Sequence, residues 1–295
     1  MNIELERAQT QDGILLHGAL RRPRTGASSR VGADVVILHH GVGGNFYNEH
    51  FFDPMGDRLL EAGCAVLRVN NRGHDLAYNS PAGRLGAAFE SVDDCREDWQ
   101  AWINHAAMLG FQRIALWGHS LGAVKSIYFL ATGGDPRVNW AIATSPPQFS
   151  YSDYVSRPDG HLFTAYFDEA KRLVAAGQPD VVFPVTIPTN VLLAAKTYLD
   201  KYGPEERFDI IKHLPNVRVP MLITIGAKEG AGPESPDRFS FLGLADRVGA
   251  LASTQPNLTF EHIQDADHFY TGVTDQLWSA IDKWLATRIS AAAAR

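Results

Sequence analysis

The chain has 295 residues, 45% hydrophobic and 20% charged, the balance of a globular chain that buries a sizeable core. A formal net charge of −6 without any run of Lys and Arg argues against a nucleic-acid partner. No apolar stretch approaches the ~18 residues of a membrane span, which excludes an integral helical membrane protein.

MNIELERAQT carries two early acids and no apolar core segment, so it does not read as a secretory signal. The two cysteines, Cys64 in an apolar run and Cys95 in a helix-like one, read as reduced, buried thiols. A cytoplasmic location is the expectation.

Residues 3–8 and 14–20 read as short strands joined by the turn Gln11-Asp12-Gly13. DVVILHH (34–40) is a continuous β-branched and apolar run, the pattern of a strand buried on both faces of a parallel sheet. After a Gly-rich loop, residues 47–62 read as a helix stopped by Gly63, and CAVLRVN (64–70) as a second buried strand. SVDDCREDWQAWINHAAMLGF (91–111) opens on a capping-box pattern, Ser91 and Asp94. Val92, Cys95, Trp99, Ile103 and Ala106 then recur at helical spacing until Gly110. RIALWG (113–118) is the next strand, followed by a helix over 121–131 and the strand VNWAIATS (138–145), closed by Pro146 and Pro147.

Strand alternating with helix marks an α/β protein with a mostly parallel, doubly wound sheet. The alternation stops over 148–215, where helix-like pieces at 162–176, 189–202 and 204–213 are separated by Pro- and Gly-containing breaks. That segment is too apolar to be disordered and reads as an inserted helical cap. PMLITIG (220–226) and NLTFEHI (257–263) resume the strands. A closing amphipathic helix carries Leu277, Ile281, Trp284 and Leu285 on one side. The expected organisation is therefore a core of 1–147 and 216–295 with a cap of 148–215.

Gly118-His119-Ser120-Leu121-Gly122 fits G-x-S-x-G between a predicted strand and a predicted helix. So sharp a turn strains the serine backbone and lifts its Oγ clear of the sheet, while glycines on either side let neighbouring backbone approach. The Leu121 N–H opens a helix, where unpaired N–H groups and the helix dipole favour developing negative charge. That position suits a nucleophile.

With these residues the chain resembles the α/β-hydrolase fold family, serine esterase and lipase branch. The resemblance runs from about residue 34 to 286, with 148–215 unmatched in detail. HHGVGGN (39–45), GHSLGA (118–123), the GAKE turn (226–229) and DADHFY (265–270) carry it. It implies Ser120 as nucleophile and His268, after the last strand, as its base. The acid falls at Glu229, where the family usually has aspartate. Asp237, further along the same loop, is the alternative, and Asp153 a more distant one. The oxyanion donors are the N–H groups of Leu121 and of Val42, with Gly43 as alternative.

His119 is expected to point away from Ser120, and His39 and His40 to orient the oxyanion loop. VNNRGHDLAYN (69–79) matches the family's Arg-Gly strand end and then departs from it, so His74 and Asp75 read as loop packing. GVGGN fits neither dinucleotide nor Walker patterns, and no HExxH or Cys/His cluster occurs. No cofactor and no metal are expected.

The activity implied is a serine carboxylesterase cleaving a small or medium ester through an acyl-enzyme. Hydrolysis of a lactone, thioester, amide or carbon–carbon bond, or acyl transfer, would use the same residues. A ligand-binding protein on this scaffold is the non-catalytic alternative. Of six aromatics at 149, 151, 154, 163, 166 and 167, about a third should face a pocket. The sequence specifies no oligomeric state.

Overall fold

The computed structural model describes residues 2–24, 29–48, 50–232 and 238–293. The opening turn joins β1 (Glu4–Gln9) to β2 (Leu15–Arg21), and β3 (Val35–His39), α1 (Phe52–Glu61) and β4 (Ala65–Val69) follow. A small hairpin, β5 (Tyr78–Ser80) and β6 (Gly83–Leu85), precedes α2 (Cys95–Met108), β7 (Ile114–His119), α3 (Leu121–Ala131) and β8 (Val138–Thr144). The segment after β8 holds α4 (Tyr151–Ser156), α5 (Gly160–Ala175), β9 (Val182–Val185), β10 (Val191–Ala194), α6 (Ala195–Tyr202) and α7 (Ile210–His213). The chain closes with β11 (Met221–Gly226), α8 (Arg238–Phe241), α9 (Leu244–Thr254), β12 (Leu258–Ile263) and α10 (Thr274–Ala293).

Eight strands form one sheet in the order β1-β2-β4-β3-β7-β8-β11-β12. β2 pairs antiparallel with both β1 and β4, and every later pairing is parallel. All five residues of β3 are buried, and their alternation feeds two cores. Val35 and Ile37 join Trp99 and Trp102 of α2, Val124 and Ile127 of α3, and Val248 of α9. Val36 and Leu38 join Phe52, Met55 and Leu59 of α1 and Leu277, Ile281 and Leu285 of α10 on the opposite face. A strand with apolar side chains on both faces is stable only where helices cover both, hence the doubly wound layering.

The structure departs from the sequence expectation at four places. Helix α1 begins at Phe52 rather than 47, because Asn45 Oδ1 accepts the N–H groups of Tyr47 and Asn48 and holds turns there. Ser91 makes no capping box: a 3₁₀ turn over Val92–Asp94 starts the helix, and the Ser91 hydroxyl donates to Asp200 instead. Residues 191–194 are strand, not helix, paired antiparallel with β9. The run VVFPVTIP that precedes them is β-branched and interrupted by proline, which favours extended backbone over helix. The last helix of the segment starts at Ile210, not 204, because the Asp209 carboxylate accepts the Ile211 N–H as an N-cap.

Tyr154, Phe163, Phe167 and Tyr198 pack edge to face or tilted against one another, and they belong to the same core as α3. Helix α3 is consequently buried all round from Leu121 to Leu130. Cys64 and Cys95 are free thiols in the core, and burial pushes the Cys64 thiol up to about 12. No helix among the described residues is long and apolar enough to cross a membrane.

Candidate active site

Ser120 stands between the end of β7 and the start of α3 with φ 56° and ψ −123°, in the left-handed half of the backbone map that a non-glycine residue adopts only at a cost of ~1–3 kcal/mol. Its N–H donates to Thr144 O on the neighbouring strand (2.9 Å), which holds the turn. A Cβ at Gly118 would collide with the Gly122 carbonyl, and one at Gly122 would collide with the carbonyl of His39. The two flanking glycines are thus space requirements of the elbow.

The structure brings Ser120, His268 and Glu229 together. Ser120 Oγ lies 2.9 Å from His268 Nε2, and His268 Nδ1 lies 2.6 Å from Glu229 Oε1. Glu229 follows β11 and His268 follows β12, so two adjacent parallel strands deliver them to one edge. Backbone bonds tie the two loops: Ala227 N–H donates to Ile263 O and Lys228 N–H to Ala266 O. With the acidic Glu229 facing Nδ1, that nitrogen carries the proton and Nε2 is free to accept from the serine hydroxyl.

Glu229 has a fully buried side chain, so every lone pair needs a donor. Its Oε2 accepts from Gly226 N–H and Ser145 Oγ, both at 2.7 Å. Ser145 has one proton, which goes to the carboxylate; the Tyr270 hydroxyl, 3.0 Å away, therefore donates to Ser145. Thr224 Oγ1, 2.6 Å from the Tyr270 hydroxyl, donates to it in turn. Burial pushes the Tyr270 hydroxyl far above its ordinary range, which keeps it protonated as that chain requires. Sequence reading missed Thr224, Tyr270 and Ser145, because nothing local links residues 125 and 46 positions apart.

Asp237 lies outside the described residues. Asp153 is in α4, its carboxylate held by Arg157 and Arg247. The His119 ring stacks on Phe51, 4.5 Å between centroids, and its Nε2 meets the His268 carbonyl at 2.8 Å, which ties down the loop carrying that residue. His74 and Asp75 pair with each other at 2.7 Å, and Asn45 donates to Asp75. That is loop packing.

The loop after β3 runs against Ser120: a Cβ at Gly41 would lie 3.0 Å from Ser120 Cβ. The Gly41 carbonyl accepts from His40 Nδ1–H (2.7 Å) and from Gly44 N–H (3.2 Å). In a planar trans peptide the next N–H points the opposite way, so Val42 N–H is turned from those partners. Neither Val42 N–H nor Leu121 N–H donates to a protein acceptor among the described residues. Gly43 takes φ 63° beside Ala87 and Asp75. His39 Nδ1 donates to the His40 carbonyl (3.0 Å), leaving Nε2 to accept from Asn71 Nδ2 (2.9 Å). Burial holds the His39 imidazole well below its ordinary pKa, so it stays neutral in that role.

Ser120 and His268 open onto a cavity of about 270 Å³. Its walls come from the sheet domain (Val42, Leu121, Phe241) and from the segment after β8 (Phe149, Pro188, Tyr202). Of the six aromatics considered in the sequence, Phe149 lines it, fewer than the third expected; Tyr154 and Phe163 are fully buried in their own cluster. Largely apolar walls of this kind limit the water around the site and strengthen the electrostatic interactions that operate there.

A mostly parallel eight-stranded sheet covered on both faces, with a serine-bearing elbow after its fifth strand in space, defines the α/β-hydrolase class of fold. The alpha/beta hydrolase fold family matches residues 34–185, just over half the chain, and the protein belongs to that family. It is similar to the thiohydrolase apmlB of Arthrinium phaeospermum, 26% identical over 144 residues, which are 49% of this chain and 43% of that protein. The chain thus spans less than half the length of the curated relative it matches. Among solved structures it is similar to Est1E from Butyrivibrio proteoclasticus, at 17% identity, TM-score 0.66 and coverage of 97% of this chain and 99% of that one. It is also similar to the alpha/beta hydrolase GrgF from Penicillium sp. sh18, at 14% identity, TM-score 0.68 and coverage of 97% and 98%. Identities this low speak for the fold.

Proposed function

We propose that the protein is a serine hydrolase that cleaves a small or medium carboxylic ester through an acyl-enzyme. The observation that carries this reading is the unbroken hydrogen-bonded line Ser120–His268–Glu229, opening into a largely apolar cavity. Ser120 Oγ attacks the ester carbonyl carbon while His268 Nε2 takes its proton. The buried Glu229 carboxylate holds the imidazole and stabilises its charged form. The carbonyl oxygen, now an oxyanion, receives the N–H groups of Leu121 and Val42. His268 returns the proton to the departing alcohol, and water repeats the sequence on the acyl-enzyme. His268 carries each proton transfer and the backbone N–H groups stabilise the charge, without a cofactor. Residues 148–215 act as a cap on the core formed by 1–147 and 216–295.

A thioester is the second reading, favoured by the thiohydrolase relative; it needs the same groups, with a thiol as leaving group. Matched oxygen esters and thioesters of one acid, compared by kcat/KM, decide between them. A fluorophosphonate probe tests the mechanism itself: the expected result is stoichiometric labelling with the adduct mapped to Ser120. Folded protein that stays unlabelled overturns the hydrolase reading and leaves a ligand-binding protein.

The support behind Glu229 has its own expected signature. Ser145→Ala removes one hydrogen bond to a buried carboxylate, worth roughly 1.5–3 kcal/mol. We expect kcat/KM to fall about 10- to 100-fold, with Tyr270→Phe in the same direction but smaller because its contact is one step removed. Steady-state kinetics on one ester measures both.

A further inference from the structure

The cavity wall includes a basic residue that the mechanism above does not use. Lys201, on α6, is 3% exposed and lines the cavity together with Ser120 and His268. Its ammonium has three N–H donors. The described contact it makes with a protein acceptor is a long one, 3.4 Å to Glu90 Oε1. Glu90 is itself buried and already has a closer cation: Lys125, one turn along α3 from Leu121, reaches Oε2 at 2.5 Å and also donates to Asn71.

Two buried lysine side chains therefore share one buried carboxylate. The neighbouring acids are committed elsewhere. Asp98 pairs with Arg72, and Asp200 takes Ser91 and Arg207. His39 and His40 are held by backbone carbonyls and Asn71. A buried charge that is under-paired is costly, and apolar walls such as Phe149 and Pro188 offer it no hydrogen-bond acceptor. Burial and the Lys125 charge accordingly pull the Lys201 pKa down, against the pull of Glu90. If Lys201 served only to neutralise Glu90 it would be redundant with Lys125.

We propose that Lys201 is a specificity residue, and that the substrate carries a carboxylate, separate from the bond that is cleaved, which docks on its ammonium. The inference rests on reading this cavity as the substrate site. It narrows the substrate class to half-esters or half-thioesters of dicarboxylic acids and to acyl groups bearing a distal acid. A carboxylate placed there completes the donors of Lys201 and balances the second cation, while the methylenes between acid and carbonyl lie against the apolar wall.

Binding can be tested without turnover, using anilides in place of esters. The monoanilides of succinic, glutaric and adipic acid are each compared by calorimetry with the neutral anilide of the same chain length. We expect at least one acid to bind tenfold or more tightly than its neutral partner, and Lys201→Met to bring that ratio to about one. Equal affinities across all three pairs in the unaltered protein overturn the proposal, whether or not the variant folds. A preference that persists in Lys201→Met overturns it as well. Because the measurement does not involve acylation of Ser120, it stands apart from the probe-labelling test of the hydrolase reading.

Discussion

Ser120→Ala is expected to lower turnover by ~10⁴–10⁶ while leaving the thermal unfolding transition close to its original temperature. The first half follows from the proposed chemistry, in which the Ser120 hydroxyl oxygen bonds to the acyl carbon and alanine offers no atom to replace it. The residual rate comes from the oxyanion donors and from holding substrate beside an unassisted water. The second half follows from the contacts of the side chain. Oγ makes one hydrogen bond, to His268, and the turn is held by the Ser120 N–H, which alanine retains. Alanine also fits the same positive φ about as well as serine. Kinetics on an aryl ester, with a melt by circular dichroism, checks both halves. Activity within tenfold of the unaltered protein would remove the covalent mechanism.

Glu229→Gln is expected to cost about 10³–10⁴ in kcat, with little change in KM. The geometry says why an isosteric change has so large an effect. Gly226 N–H can only donate, so the amide oxygen of the glutamine must face it, where Oε2 now sits. The NH₂ group then faces His268 Nδ1, which must become an acceptor. The imidazole proton is driven to Nε2, the nitrogen that should receive the Ser120 proton. The base is present but in the wrong tautomer. Asp237→Asn, by contrast, is expected to stay within about threefold. A large loss there and a small one at Glu229 would transfer the role of the acid.

Much of this protein follows from patterns a few residues long. A run such as DVVILHH, apolar on both side-chain directions, fits a strand with a helix layer on each face, and β3 divides its residues between two cores. The elbow at residues 118–122 is equally local, since strand end, glycine spacing and helix start all lie within one turn. The closing helix likewise buries Leu277, Ile281, Trp284 and Leu285 as its periodicity requires.

Where the determinant lies far along the chain, local pattern is silent. Residues 189–202 carry apolar spacing that fits a helix, and pairing with β9 makes 191–194 a strand. Ser91 has a capping sequence, yet Asp200, 109 residues away, takes its hydroxyl. Lys125, Lys201 and Glu90 would each be assigned to the surface by residue type, because a single charge does not stay buried; only together do they become tolerable inside.

Local sequence therefore determined the strands of the eight-stranded sheet, the elbow and the candidate nucleophile, because backbone conformation and periodic burial are short-range properties. Tertiary structure alone decided that Glu229 is the carboxylate touching His268, that Ser145 and Tyr270 stand behind it, and that Lys201 lines the cavity. Those facts depend on which side chains meet when distant segments pack, and hydrogen bonds and ion pairs form through space rather than along the chain.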